Sequence, residues 1–256
     1  MSMYCKRFLL ALLATSCAWI PLSAVDFIVG TTSAYAPFVS LDEKGEYVGF
    51  DIDMAKELSK KLNRNLVIKD LGSMPALFLA LKQNKIDAVI WAVSITEERQ
   101  KKMEMVYYQG EKVTSLPLLF WKKIPDTVVK VEDMSGNSRQ VICVEAGSFQ
   151  ESVLQKVPGL TLKQVDKVMD AILEIKYGKS QATLIDPSLL PTICQQFPEV
   201  QVLDIPLPTS EQSFGNGICL NKEHQTLGQE VQQAITELRN EGKIAELEKQ
   251  YNLVGK

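Results

Sequence analysis

The sequence predicts an α/β fold in two lobes, and three observations carry that prediction. Short apolar runs alternate with segments of helical period from residue 26 onward. The alternation pauses in a long extended run, Val106 to Lys123, and then restarts. Further extended segments follow before two final helices, so two α/β units are joined by extended crossovers. In such a fold the cleft between the units is the default site.

Bulk properties fit that architecture. A chain of 256 residues suffices for one or two compact domains. With 46% hydrophobic and 23% charged residues it reads as globular rather than disordered. The formal net charge of −3 argues against nucleic acid or an anionic membrane surface as partner.

Residues 1–24 stand apart as a secretory signal: a basic start at Lys6 and Arg7, an apolar stretch from Phe8 to Ile20, and a Pro before "LSA". Cleavage after Ala24 removes Lys6 and Arg7 and no acids, leaving 26 basic and 31 acidic residues, a formal charge of −5. A loose lipoprotein box, "ATSC" ending at Cys17, offers a second processing site with a lipid anchor. The apolar "AWIPLSA" after it is unlike a polar tether, so plain cleavage is the expectation, and either route exports the chain. Beyond the signal, Cys143, Cys194 and Cys219 form no CxxC and sit beside no His at ligand spacing, so free thiols are expected and no metal. Export would permit one disulfide.

Along the rest of the chain, "DFIVGTT" is a strand, and Asp51 to Leu62 a helix with Ile52, Met54, Ala55, Leu58 and Leu62 mostly on one face. "NLVIKDL" is a strand and "PALFLALKQNK" a helix with Pro75 in its first turn. "IDAVIWAV" reads as one strand, and "TEERQKKM" opens a helix capped by Thr96, with Glu97 and Glu98 favourably placed in its dipole. After the extended run, "VICVEAGSFQESVLQKV" is strand, turn and helix. "TLKQV", the helix "VMDAILEIKYG", "ATLID" and the helix "PSLLPTICQQF" follow. "VQVLDIPL" and "FGNGICLNK" are extended, and the tail is two helices broken at Asn240 to Gly242. The sheets should be largely parallel.

Three strand ends turn small or polar: "TTSAYAPF", "AVSITEER" and "EAGSFQE", with "LIDPS" beside the last. Ligands of open α/β sheets sit beyond such ends. A free amino acid needs a bidentate cation and backbone N–H groups for its carboxylate, and an anion with hydroxyls for its ammonium. Arg99 supplies the cation, with Ser94 on the approach and the N–H groups of Gly147 and Ser148 opposite. Asp186 could take the ammonium and Tyr35 form a flat apolar wall. Singly, Arg99 reads as a solvated helix residue, Asp186 as a turn cap, and Tyr35 and Trp91 as core; their joint arrangement gives them weight. No nucleophile–base pair is evident, and the only His, His224, reads as solvent-facing.

The phrases "GTTSAYAPF", "YVGFDIDMAKELSKKL", "LALKQNKIDAVIWAVSITEERQKKM", "AGSFQE" and "LRNEGKIAELEKQY" occur together over Asp26 to Leu253. In these the chain resembles the extracytoplasmic solute-binding proteins of polar amino acid ABC transporters, the glutamine-, arginine- and lysine/arginine/ornithine-binding group. The resemblance implies a type II periplasmic binding protein fold with two hinge strands. It implies lobe one over 25–110 and 214–256, and lobe two over 111–213. It gives Arg99 the α-carboxylate, Asp186 the α-ammonium and Tyr35 the side chain, with Ser94, the Ala92 carbonyl and the Ser148 N–H completing recognition. It also implies a monomer without cofactor or catalytic residues, working with an ABC permease and its ATPase in the periplasm.

Departures bear on the ligand. Thr32 stands where members preferring cationic side chains often have Asp, Met74 where many have an aromatic wall, and Trp91 where small residues are usual. Glu145 could supply the charge that Thr32 lacks. A neutral polar ligand, glutamine- or cystine-like, is slightly favoured over a basic one such as arginine. An enzyme on the same scaffold, like the periplasmic dehydratases, with Glu145 or Asp186 as acid or base, and an amino acid sensor are the competing readings.

Overall fold

The computed structural model of the protein describes residues 25–253. The expected signal, with Cys5 and Cys17, lies outside the described residues. In chain order come β1 (Asp26–Thr31), the small hairpin β2 (Ser40–Leu41) and β3 (Tyr47–Val48), α1 (Phe50–Lys61), β4 (Asn65–Asp70), α2 (Met74–Lys82), β5 (Ala88–Val89), α3 (Glu97–Lys102) and β6 (Glu104–Val113). The second unit follows with β7 (Ser115–Trp121), β8 (Val141–Glu145), α4 (Phe149–Leu154), β9 (Thr161–Val165), α5 (Val168–Lys176), β10 (Ala182–Leu184), α6 (Leu190–Gln196) and β11 (Val200–Pro206). The chain ends on β12 (Ser213–Leu220), α7 (Gln225–Asn240) and α8 (Lys243–Gln250).

Sheet one has the order β4-β1-β5-β12-β6, and sheet two the order β11-β7-β10-β8-β9. Both are mixed, which corrects the expectation of largely parallel sheets. β4, β1 and β5 run parallel, but β12 is antiparallel to both its neighbours. In sheet two β7 is antiparallel to β10 and β11. The strands that cross between the sheets meet their neighbours running the other way.

Those crossings lie side by side. β6 ends in sheet one at Val113, which pairs with Ser213, and β7 begins sheet two at Ser115, which pairs with Pro206. Between them the Leu207 N–H donates to the Thr114 carbonyl at 2.8 Å. The two hinge strands are therefore hydrogen-bonded neighbours.

α1 is preceded by Gly49 at its N-cap, whose φ of 130° and close approach to Phe38 exclude a side chain: a Cβ there would stand 2.2 Å from the Phe38 carbonyl oxygen. Its face of Phe50, Ile52, Met54, Ala55 and Leu58 is buried, and α1 packs against α7 and α8. Each of these side chains larger than alanine contributes about 1.5–3 kcal/mol. One apolar core contains Phe27, Phe50, Trp91 and Val231 and continues to Ile172, Ile185 and Leu189 of the second unit. A separate core holds Leu118, Phe120, Ile142, Val144 and Leu154. Cys143 and Cys219 are buried, Cys194 is half-buried, and all three are free thiols. His224, expected at the surface, is half-buried at the start of α7.

The expected strand over Ile86 to Val93 breaks. β5 covers only Ala88 and Val89, Ala92 adopts φ 42°, and pairing with β12 resumes where the Gly217 N–H meets the Val93 carbonyl and Ser94 bridges Asn216. A left-handed alanine cannot continue a pleated ladder, so the run kinks at Trp91–Ala92.

Candidate functional site

Thr96 caps α3 as expected, its hydroxyl accepting the Arg99 N–H at 3.2 Å. The Arg99 side chain lies inward rather than toward solvent, 8% exposed. Nη1 donates to the Ser94 carbonyl at 2.8 Å, and Nη2 to the Gly147 carbonyl at 3.0 Å and the Met74 sulfur at 3.3 Å. The guanidinium also lies 5.6 Å from the Phe78 ring centre. Its partners are two carbonyls and a thioether, with no carboxylate among them, and burial pushes its pKa below the ordinary arginine value.

Arg99 thus ties the strand-end loop of sheet one to the β8–α4 turn of sheet two. Gly147 is needed there on two counts. Its φ is 72°, and a Cβ would stand 3.3 Å from the Pro75 ring at the start of α2. Its N–H donates to Glu151 Oε2 at 2.6 Å, while the Ser148 N–H turns back to the Glu145 carbonyl at 3.2 Å. Both N–H groups, expected to face a ligand, therefore have acceptors within the protein, and Gly147 presents its carbonyl instead. Glu151 is fixed in turn by the side chains of Gln155 and Gln164.

Two acids from the second unit approach the same region. Glu145, at the end of β8, is 5% exposed, and its Oε1 has no hydrogen-bond partner among the described residues. Burial pushes its carboxyl up to about 8, against the pull of Arg99 and with the repulsion of Asp186. Asp186 is half-buried and caps the turn after β10, accepting from the Ser188 N–H at 2.9 Å and its hydroxyl at 2.5 Å. Burial raises its pKa too, although the Ser188 bonds oppose the shift. Asp186 borders a cavity of about 670 Å³ beside the hinge strands, together with Gln109, Ser115 and Asn216.

The aromatic wall comes from sheet one. Tyr35 and Trp91 are buried with ring centres 5.0 Å apart, and the Trp91 indole N–H has no partner among the described residues. Tyr35 also borders a cavity of about 250 Å³ facing Val168, Leu189 and Ile193 of the second unit. Burial raises its hydroxyl pKa well above the ordinary value, and the charges of Asp186 and Glu145 raise it further. Thr32, Met74 and Ser94 are all buried.

The structure thus places Arg99, Ser94, Met74 and Gly147 in direct contact, with Tyr35, Glu145 and Asp186 within electrostatic reach of one another. Sequence reasoning missed Asp51, 1% exposed, whose Oδ2 accepts the Ala92 N–H at 2.7 Å and whose Oδ1 accepts the Tyr108 hydroxyl at 2.6 Å. The one available signal was an acid among the apolar residues of "GFDIDMA". Glu151 and Phe78 were likewise missed. Among the described residues no cluster of His, Cys, Asp or Glu could hold a metal ion, and no helix is long and apolar enough to cross a membrane.

Known proteins share this fold. The chain is 35% identical over 227 residues to the probable ABC transporter arginine-binding protein ArtJ of Chlamydia trachomatis serovar D, covering 89% of this chain and 86% of that protein. It is 29% identical over 258 residues to the histidine-binding periplasmic protein of Escherichia coli strain K12, covering 96% of each. It is similar to the structure of an ancestral arginine-binding protein bound to arginine, with a TM-score of 0.77 and 28% identity over 88% of this chain and 97% of that one. Residues 27–254 match the family of bacterial extracellular solute-binding proteins, family 3, and the chain belongs to that family.

Proposed function

We propose that the protein is the periplasmic receptor of an ABC importer, and that it captures an amino acid with a cationic side chain, of the arginine type. The ligand is held between two lobes, 25–110 with 214–256 and 111–213, that close on the paired hinge strands. Arg99 takes the α-carboxylate, with Ser94 and the Ala92 carbonyl beside it, and Asp186 takes the α-ammonium. Tyr35, Trp91 and Met74 enclose the aliphatic stem, with Thr32, Gly147 and Ser148 at the rim. In this reading entry of the ligand displaces the Gly147 carbonyl and the Met74 sulfur from Arg99. The monomeric, closed protein then delivers its ligand to the permease and its ATPase. Export by the leader, or anchoring through Cys17, keeps it outside the inner membrane.

The observation that carries the choice of ligand is Glu145. A carboxyl 5% exposed with an unpartnered oxygen is costly beside a neutral side chain, and is matched by a buried guanidinium. An arginine zwitterion puts one charge on each of Arg99, Asp186 and Glu145. Relatives named as arginine-binding support the same choice over the neutral polar ligand that the sequence alone slightly favoured. The test is a thermal-shift and calorimetric screen against arginine, lysine, ornithine, histidine, glutamine and cystine. Arginine should give the largest shift, and Glu145→Gln should weaken it far more than glutamine. A larger shift with glutamine or cystine, or equal effects of Glu145→Gln on both, would overturn the cationic assignment.

A further inference from the structure

The kink at Trp91–Ala92 has an anchor of its own. Ala92 holds φ 42°, a conformation that alanine adopts only against a steric penalty. Its N–H is held by Asp51, 41 residues earlier in the first turn of α1, and Asp51 is held by Tyr108 on β6. Tyr108 is 1% exposed and stacks on Phe50 with ring centres 6.0 Å apart. Three elements therefore converge on one peptide unit. Both Asp51 oxygens are engaged within the protein. Burial pushes the Asp51 carboxyl up to about 7, so an acid here costs stability that an apolar side chain on this face of α1 would not. The cost has a return only in the backbone it fixes.

We propose that Asp51 is a positioning residue for ligand binding: by holding the Ala92 N–H it locks the kink that sets the Trp91 ring against Tyr35, tilted 51° to it, at the cleft wall. This rests on the cleft being the amino acid site. The device acts entirely through Ala92 and Trp91. Removing the carboxylate frees the kink to relax toward the extended conformation of its neighbours, which withdraws the Trp91 ring from Tyr35.

The test uses the full chain carrying Trp19→Phe and Trp121→Phe, in which Trp91 is the sole tryptophan. Trp91 emission is measured without ligand, and arginine affinity by calorimetry. Asp51→Ala should shift the emission and weaken arginine binding by about tenfold or more, because the Ala92 N–H loses its acceptor. Asp51→Asn keeps an acceptor for Ala92 and a donor toward the Tyr108 oxygen, so it should stay within about threefold of the parent. The pair Asp51→Ala with Ala92→Gly should regain part of the lost affinity, since glycine takes positive φ without penalty. A purely structural role for Asp51 predicts no such rescue. Unchanged emission and affinity in Asp51→Ala, or no rescue by either Asp51→Asn or Ala92→Gly, would overturn the proposal. Should Asp51→Ala not fold, Tyr108→Phe removes one of the two anchors and should shift emission and affinity in the same directions; no shift overturns the proposal. If the parent binds no arginine, the assignment of the ligand fails, while the ligand-free emission series still decides the anchoring of the kink.

Discussion

Asp51 and Glu145 are both acids buried near the cleft, one at the start of α1 and the other at the end of β8. Burial raises both carboxyls, to about 7 and about 8. They differ in their partners. Asp51 accepts from the Ala92 N–H and the Tyr108 hydroxyl, while Glu145 leaves Oε1 without a partner among the described residues. A raised pKa therefore does not separate a structural acid from a binding one, because desolvation acts on both. The hydrogen-bond partners do: an acid satisfied from within shapes the backbone, and one unsatisfied from within suits a cationic ligand.

Several variants would break or sharpen that contrast. The largest effect is expected from Arg99→Ala, which removes the cation proposed to hold the ligand α-carboxylate and should weaken amino acid binding by about 100-fold or more by calorimetry. Retained affinity would take Arg99 out of the site. Stability should then divide the two acids in urea titrations. Asp51→Ala leaves two buried donors without an acceptor and should cost about 2–4 kcal/mol. Glu145→Gln breaks no such pair and should fall within about 1 kcal/mol of the parent. Equal costs would mean that the partners do not distinguish these acids.

The pH dependence is a smaller effect with a defined sign. Both carboxyls bind their protons more tightly folded than unfolded, so their contribution to stability is greatest below the ordinary carboxylate range. It is lost as pH rises through the window ending near 7 for Asp51 and near 8 for Glu145. The ligand-free protein should therefore lose stability across that window, and Glu145→Gln should flatten the upper part. A cationic ligand should oppose the loss, by favouring the charged Glu145. The smallest effect is expected for Thr96→Ala, about 1 kcal/mol from the lost α3 cap, with no preference for either acid.

Much of this was legible in the sequence, for local reasons. The helical and strand periods, the Pro75 and Thr96 starts and the break at Asn240 to Gly242 are set by neighbours a few residues apart. The inward turn of Arg99 was not legible from its own helix, where it read as a solvated residue; only its company of hydroxyls, an acid and an aromatic pointed to it. The strand break at Ala92 was not legible, because "IDAVIWAV" is apolar after Asp87 and nothing in it marks a left-handed residue. Its cause lies 41 residues away in Asp51, whose place in a first helical turn has an ordinary explanation in the helix dipole. The acceptors of the Gly147 and Ser148 N–H groups were hidden for a related reason: a glycine turn advertises its N–H groups, but not the Glu151 that folds back on one of them.

The order of strands in sheet one also bears on how the chain is assembled. β12 sits between β5 and β6, yet it follows every strand of sheet two along the chain. All five strands of sheet two lie within 115–206, and their separate core draws on the same stretch. A chain emerging from its N-terminus can therefore complete the inserted sheet first, while β6 has no partner in sheet one until residues 213–220 arrive. Closure of sheet one across so long an insertion is a high-contact-order step, of the kind that is intrinsically slow because loop-closure entropy comes before the contacts that offset it.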